Sequence, residues 1–376
     1  MLRYDKIKEI LMSFFLNTFS YISIFSLTAL IFVGLPLEFV KTYSVIETGI
    51  ILSSFYVGTM ISPFFFYRVI IGYTTTRIAI IMNITALSTL FISMDLKNGL
   101  YLSMVSLFLL GIGKNVILTY YDSKVISTNY NLYRGVGSIA FVLTALGVGL
   151  HYIHISLLGI ILSIIFFMNY FTTVYSKGEN LIIASRNFFS IDIIKESKYF
   201  WSSIFFHRMG MGVFLSFAGI FIVYHLGYTE LDFSILWIFA ATLEGICLFF
   251  YRKIVSINTF ITVALIATVI RFLLIYLYPE YFPVLMISQA LHMFSYAIYH
   301  LNILEIINTT FKEKTPINIK IYHSISEGLS LFLGSLLGIM ISNDNDFFLI
   351  LSCFSLISLI LFKLSIYKKE ITIERS

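Results

Sequence analysis

Charge is scarce in this chain. Asp, Glu, Lys and Arg make up 12% of its 376 residues, against about a quarter in ordinary soluble domains. The shortage excludes a surface solvated all round. Cysteine is nearly absent too, with two residues. Cys247 and Cys353 lie far apart inside apolar runs, so neither a disulfide framework nor a thiolate metal site is written here. Proline occurs five times, which leaves long helices few interior breaks. No Gly-x-x-x-x-Gly-Lys-Ser/Thr loop occurs and no polar segment is long enough for a nucleotide-binding domain. An ATP-driven pump built from this chain alone is therefore excluded. No cofactor motif is present.

What is present is apolar surface, 59% of the residues. Twelve stretches are each long enough for a membrane helix, which needs roughly 20 apolar residues: 9–34, 46–68, 75–94, 99–122, 132–153, 155–176, 199–224, 231–251, 257–277, 282–309, 320–342 and 346–367. Turn chemistry or charge separates them, as at Gly34-Leu35-Pro36, Tyr278-Pro279-Glu280 and Asn343-Asp344-Asn345-Asp346. The first run follows Arg3, Lys6 and Lys8 and is too long for a signal-peptide core, so it reads as a retained helix. Only one connection is long, 177–198. The pattern predicts an all-α polytopic membrane protein: an N-terminal six-helix bundle over 1–176, a central loop over 177–198, and a C-terminal six-helix bundle over 199–376.

Lys and Arg set the orientation. If the chain starts inside and alternates, the outer connections carry only Lys41 and Lys97 of the 25 basic residues. Lys114, Arg208 and Arg271 fall within helices, and all others gather inside. Both termini and the central loop are thus expected in the cytoplasm of a cell with a bacterial inner membrane. The net charge of +5 is an orientation signal and points to the lipid bilayer as partner, not to nucleic acid. Most of the 38 Phe and 25 Tyr read as lipid-facing filler and interface belts; Tyr21 and Phe25 are weak candidates for stacking on a ligand.

Charges inside spanning helices are costly and mark function by default. They are Lys114, His207, Arg208, Glu244, Arg271, His292 and His300, with Glu305, His323 and Glu327 placed nearer the inner surface, within snorkelling reach of water. Glu244 opposite Arg271 is expected to carry a proton, because desolvation and a neighbouring cation push a carboxyl in opposite directions. His292 and His300 are eight residues apart, about 80° around a helix and ~12 Å along it. They can border one cavity at two depths but cannot share a metal ion.

At this point the residues carry a resemblance. Six plus six helices around a central loop resemble the major facilitator superfamily. Asp122, followed by Tyr133-Arg134-Gly135-Val136-Gly137-Ser138-Ile139-Ala140-Phe141, resembles the Asp…Arg-x-x-Gly-Ser-x-x-Phe stretch of its phenylpropionate-permease-like branch, related to lactose permease and the nucleoside:proton symporters. Leu243-Glu244, Arg271, Gln289-Ala290-Leu291-His292 and Tyr299-His300 fit the same branch. The resemblance spans roughly 10–340. It implies two bundles rocking around a central site, alternating access and proton symport. Glycines in the fifth and eleventh helices, among them Gly135, Gly149, Gly334 and Gly338, suit the close contacts that rocking needs. One departure is clear. The loop Tyr67-Arg68-Val69-Ile70-Ile71-Gly72-Tyr73-Thr74-Thr75-Thr76-Arg77 lacks the acid of the superfamily's Gly-x-x-x-Asp-Arg pattern. Another contact, such as Asp122 with Arg134 or Arg68, is then needed to close the inner gate.

The expectation is a secondary active transporter of a small organic solute, proton-coupled, with an aromatic or other organic acid as solute. Glu244, Arg271, His292 and His300 are assigned to proton coupling, Lys114, Arg208 and His207 to solute binding, and Asp122, Arg134 and Glu327 to gating. No metal or cofactor is called for. The alternatives are a membrane-embedded transferase and a proton-driven exporter of a small metabolite. Oligomeric state is open, and a monomer satisfies the pattern.

Overall fold

The computed structural model describes residues 2–65, 73–94, 96, 99–126, 130–150, 155–175, 191–251, 256–311, 315–341 and 346–371. The expected latch at Arg68 and most of the long central connection lie outside them. Among the described residues all regular structure is helical. The long helices are α1 (2–42), α2 (Val45–Phe65), α3 (Tyr73–Met94), α4 (Leu100–Val125), α5 (Tyr130–Gly149), α6 (Ile155–Tyr175), α7 (Lys198–His225), α8 (Glu230–Phe249), α9 (Ile257–Leu277), α10 (282–310), α11 (315–341) and α12 (Asp346–Tyr367). Eleven of them contain an apolar helical stretch long enough to cross a bilayer. The twelfth, α10, is interrupted at Leu291. The chain is a multi-pass membrane protein. A short helix, Ile191–Glu196, precedes α7.

The turn expected at Gly34-Leu35-Pro36 does not form. α1 runs on to Thr42 through a π-helical stretch, Leu30–Gly34. Pro36 lacks an N–H and stands at the start of the next α-helical segment, where a missing donor costs little. The wider π turn resets the hydrogen-bond register just before the proline. α7 ends in a similar stretch, Phe221–His225. α10 and α11 each carry one at mid-length, Met293–Ile298 and Ser324–Leu329.

Burial ranks the helices by position. The spanning windows of α1 and α7 are 83% buried, whereas that of α6 is 28%. α1 and α7 are therefore central and α6 peripheral, and α6 presents Ile160, Ile164, Phe167 and Phe171 outward, as a lipid-facing helix does. Within the first six helices, α2 packs on α4, α4 on α3, and α1 on α5 and α6. Within the last six, α7 packs on α11 and α12, and α9 on α10 and α12. The two sets meet along α5 with α8 and along α2 with α11.

Apolar helices in lipid gain little from burying more apolar surface, so close approach and hydrogen bonds hold them. A Cβ on Gly58 would collide with the Phe108 carbonyl, and one on Gly111 with that of Phe55, which locks α2 to α4. Gly135 abuts the Phe249 ring and Gly149 abuts Ser234, both on the α5–α8 contact. Gly334 and Gly338 face Met209 and Phe217 of α7. Ser203 and Ser358 tie α7 to α12 by reciprocal hydroxyl–carbonyl bonds of 2.9 and 2.8 Å.

Candidate functional site

The π turn in α10 organises the centre of the molecule. His292, Tyr296 and His300 recur at four-residue spacing and stack their rings in one column. The His292–Tyr296 centroids are 5.3 Å apart and the Tyr296–His300 centroids 6.1 Å apart, with interplanar angles of 9° in both cases. The two histidines are thus separated by a tyrosine ring. The four-residue recurrence is the signal by which the sequence could have disclosed Tyr296.

A cavity opens beside this column, between α1, α5, α7, α8 and α10. Phe25, Phe32, Phe141, Trp237 and Tyr296 surround it with aromatic rings. Thr28, Ser138, Glu244 and His292 supply its polar groups. Such a space, largely aromatic with a few placed polar groups, is the usual form of a small-molecule site. Aromatic residues read as lipid filler in the sequence therefore include the walls of the cavity. Helical spacing alone does not say which face of α1 or α8 turns inward.

Glu244 borders the cavity and meets Arg134, with 3.9 Å between Nε and Oε1. Ser138 donates its hydroxyl to Glu244 at 3.1 Å. The Arg134 guanidinium lies 4.2 Å from the Phe25 ring centroid and 5.2 Å from that of Tyr296. Its Nε and Nη2 have no hydrogen-bond partner although the side chain is buried. Arg134 was expected to brace an inner gate at a depth where charge is cheap. It is deeply buried beside Glu244 and the Phe25 and Tyr296 rings, because α5 packs along α8 and carries it there.

The expected Glu244–Arg271 pair is not formed. Arg271 approaches from behind α10, where α9 packs. It donates to His292 Nδ1 at 2.9 Å and to Gln289 Oε1 at 3.0 Å, and lies 4.6 Å from the Phe214 ring centroid. His292 thus stands between Arg271 and Glu244, with Nε2 3.8 Å from Glu244 Oε2. A guanidinium can only donate, so Nδ1 accepts and the ring proton sits on Nε2, directed at Glu244.

Lys114 and Arg208 do come together, but around a carboxylate. Lys114 donates to Glu327 Oε2 at 2.7 Å, and Arg208 Nη2 lies 3.8 Å from Oε1. Arg208 also rests 4.9 Å from the Tyr296 ring centroid. Glu327 is buried between its two cations and does not snorkel. His207 is directed elsewhere: its Nε2 donates to the Ser295 carbonyl at 3.0 Å and its ring packs on Tyr299 at 4.1 Å. It ties α7 to α10 and is not among the cavity's lining residues.

A further layer lies towards the end of the bundle that carries the termini. Asp122 accepts from Tyr21 at 2.5 Å and pairs with His323 Nε2 at 2.9 Å. Asp122 and His323 are wholly buried, so His323 is no snorkelling residue either. His300 is held between the Tyr130 hydroxyl at Nε2, 2.6 Å, and the Tyr322 hydroxyl at Nδ1, 2.5 Å. Arg134 is not part of this layer's hydrogen bonds. Tyr130 and Tyr322 left no distinguishing mark in a chain with 25 tyrosines, and Tyr21, a candidate for stacking on a ligand, bonds to Asp122 instead.

Five of these polar contacts join the first six helices to the last six: Lys114–Glu327, Arg134–Glu244, Asp122–His323, Ser138–Glu244 and Tyr130–His300. In the first two the first set supplies the cation and the last set its carboxylate; Asp122–His323 is the reverse. Parting the sets along such contacts exposes unpaired charge to whatever enters.

The sequence profile described as the MFS_1 like family matches residues 10–351. A search of curated proteins finds no match. Among solved structures, a mutant form of the nucleoside transporter NupG superposes with a TM-score of 0.72 at 14% identity, covering 94% of this chain and 99% of that one. The human organic anion transporter MFSD10 (TETRAN) gives 0.69 at 13%, covering 93% and 97%. An auto-inhibited POT family peptide transporter gives 0.73 at 10%, covering 94% and 96%. These likenesses show the fold.

Proposed function

The chain belongs to the MFS_1-like family, and we propose that it is a proton-coupled secondary transporter of small organic anions, those bearing an aromatic ring above all. The cavity carries this reading: a ring-lined space with a buried Arg134–Glu244 pair beside it. Flat aromatic solutes gain from edge or face contact with such rings. The charge balance favours an anion. The buried cations Lys114, Arg134, Arg208 and Arg271 outnumber the buried carboxylates Asp122, Glu244 and Glu327. One of the structural neighbours, MFSD10, is an organic anion transporter, which fits the same balance.

In this reading 1–176 and 199–376 are two bundles that rock about the cavity, joined by a cytoplasmic loop, in a bacterial inner membrane with both termini inside. Glu244 carries the proton. Solute entry separates it from Arg134, whose guanidinium stays against the Phe25 and Tyr296 rings. Glu244 is then left to Ser138, His292 and a proton from solution. The Asp122–His323 and Tyr130–His300 contacts close the cytoplasmic side, and the Lys41–Glu230 pair, 3.2 Å, bridges the outer ends of α1 and α8. Movement of a solute by its own binding energy and a proton gradient needs no covalent step.

The test is flux into proteoliposomes under an imposed pH gradient, using 3-phenylpropionate, benzoate, their carboxamides and a nucleoside panel. Accumulation of the acids, collapsed by a protonophore, is the expected result. Accumulation of nucleosides with no movement of acids would overturn the solute class. Uptake indifferent to the gradient would overturn proton coupling.

A further inference from the structure

Lys114 and Glu327 form the shortest buried ion pair among the described residues, 2.7 Å, and each side chain is about 95% buried. They belong to opposite sets of helices. Lys114 is on α4, and Glu327 is in the π turn of α11. Next to Glu327, a Cβ on Gly328 would come within 2.5 Å of Met60 Cα, so the pair lies where α11 presses closest on α2. Any motion that parts α11 from α2 and α4 breaks it.

The two partners are not equally provided for once apart. Glu327 keeps Arg208, which is anchored to the same turn by an Nε donation to the Ser326 carbonyl at 3.3 Å. Lys114 keeps nothing of opposite charge: among the described residues Glu327 is the single carboxylate within 4 Å of it, and its other close neighbour is the Phe55 ring. A buried ammonium stripped of its anion is strongly disfavoured. An empty carrier therefore closes with Glu327 on Lys114. A carrier holding an acid has a second carboxylate to offer the same ammonium, with the same oxygen geometry. Arg208 stacks against Tyr296, a wall of the cavity, and Glu327 links Arg208 to Lys114, so the chain of charges runs from the cavity wall to the ammonium.

Resting on the reading of the solute as an organic anion, we propose that Lys114 is a carboxylate receptor, occupied by Glu327 as a tethered counter-ion in the empty carrier and by the acid group of the solute in the loaded one. Glu327 then permits the empty carrier to reorient, and a charged solute must displace it.

The test uses the purified full-length protein. Glu327→Ala opens the receptor, and sodium formate serves as a free carboxylate, with sodium chloride at equal ionic strength as control. Formate is expected to raise the Tm of Glu327→Ala while leaving wild type and the Lys114→Met/Glu327→Ala double variant unmoved. Equal shifts in all three, or none in Glu327→Ala, would overturn the proposal. A second arm uses Lys114→Met, in which Glu327 retains Arg208. The Kd for 3-phenylpropionate should weaken on the order of tenfold or more while that for its carboxamide holds. Equal weakening of both ligands counts against the proposal. The formate arm needs no transported solute. Absent acid flux with formate rescue intact would therefore indict the solute class, and acid flux without Lys114-dependent rescue would indict the receptor.

Discussion

Arg271 donates to Nδ1 of His292 at 2.9 Å, and that one bond decides what the histidine can do. With Nδ1 engaged as acceptor, the proton of the neutral ring lies on Nε2, which faces Glu244. His292 cannot become imidazolium without breaking the bond. It is a fixed donor towards the cavity, positioned by Arg271.

The tautomer is directly measurable. Nitrogen-15 spectra of ring-labelled protein should show His292 with a protonated Nε2 and an unprotonated Nδ1. Arg271→Met should abolish that fixed state. An Nδ1–H signal in the native protein would refute the assignment.

Glu244 remains the group expected to load the proton. Glu244→Gln mimics the protonated acid and cannot release a proton. It should abolish uphill accumulation driven by a pH gradient and preserve counterflow exchange of 3-phenylpropionate. Full accumulation in the variant would move coupling to another carboxyl, Glu305 or Glu327.

Asp122 and His323 should behave as a coupled pair. Asp122→Ala leaves both His323 and Tyr21 without their partner, and His323→Ala leaves Asp122 with Tyr21 alone, at a cost of about 1–3 kcal/mol for each group left unpaired. The double variant should lose less stability than the sum of the two, since only Tyr21 is left unpaired in it. Both single variants should also label faster at a cysteine placed at Tyr130 if the layer closes one face of the cavity. Strict additivity in stability, with unchanged labelling, would show that the two side chains act independently.

Orientation can be read by thiol labelling in intact cells, in a background with Cys247 and Cys353 replaced. Ser185→Cys and Ser376→Cys should resist a membrane-impermeant reagent, and Ser44→Cys, between α1 and α2, should react. The reverse pattern would invert the topology.

The hydropathy of the chain is strong enough to give the helices unaided. Spans of about 20 apolar residues admit one stable state in a bilayer, because only a helix satisfies its own backbone there. The lopsided placement of Lys and Arg likewise gives an expected orientation by counting, which the labelling experiment tests. Depth along a helix follows from residue number at 1.5 Å per step. That was enough to single out Glu244, Arg271, Lys114 and Arg208, but it placed Arg134, Glu327 and His323, all buried, too near the inner surface. The turn at Pro36 was not legible: a π turn at Leu30–Gly34 absorbs the proline, and such turns have no residue signature of their own.

The tertiary structure decided which charge meets which. Glu244 faces Arg134 because α5 lies along α8, and Arg271 is screened from it by His292 because α9 packs behind α10. Glu327 lies between Lys114 and Arg208 only where α4, α7 and α11 converge. The reason is physical. Helices that are apolar all round, as these are, carry no strong stripe to fix their rotation or their neighbours, and lipid rewards no particular face. Sequence spacing therefore sets height along the membrane normal. The azimuth of each side chain comes from glycine contacts, π turns and hydrogen bonds between helices far apart in the chain.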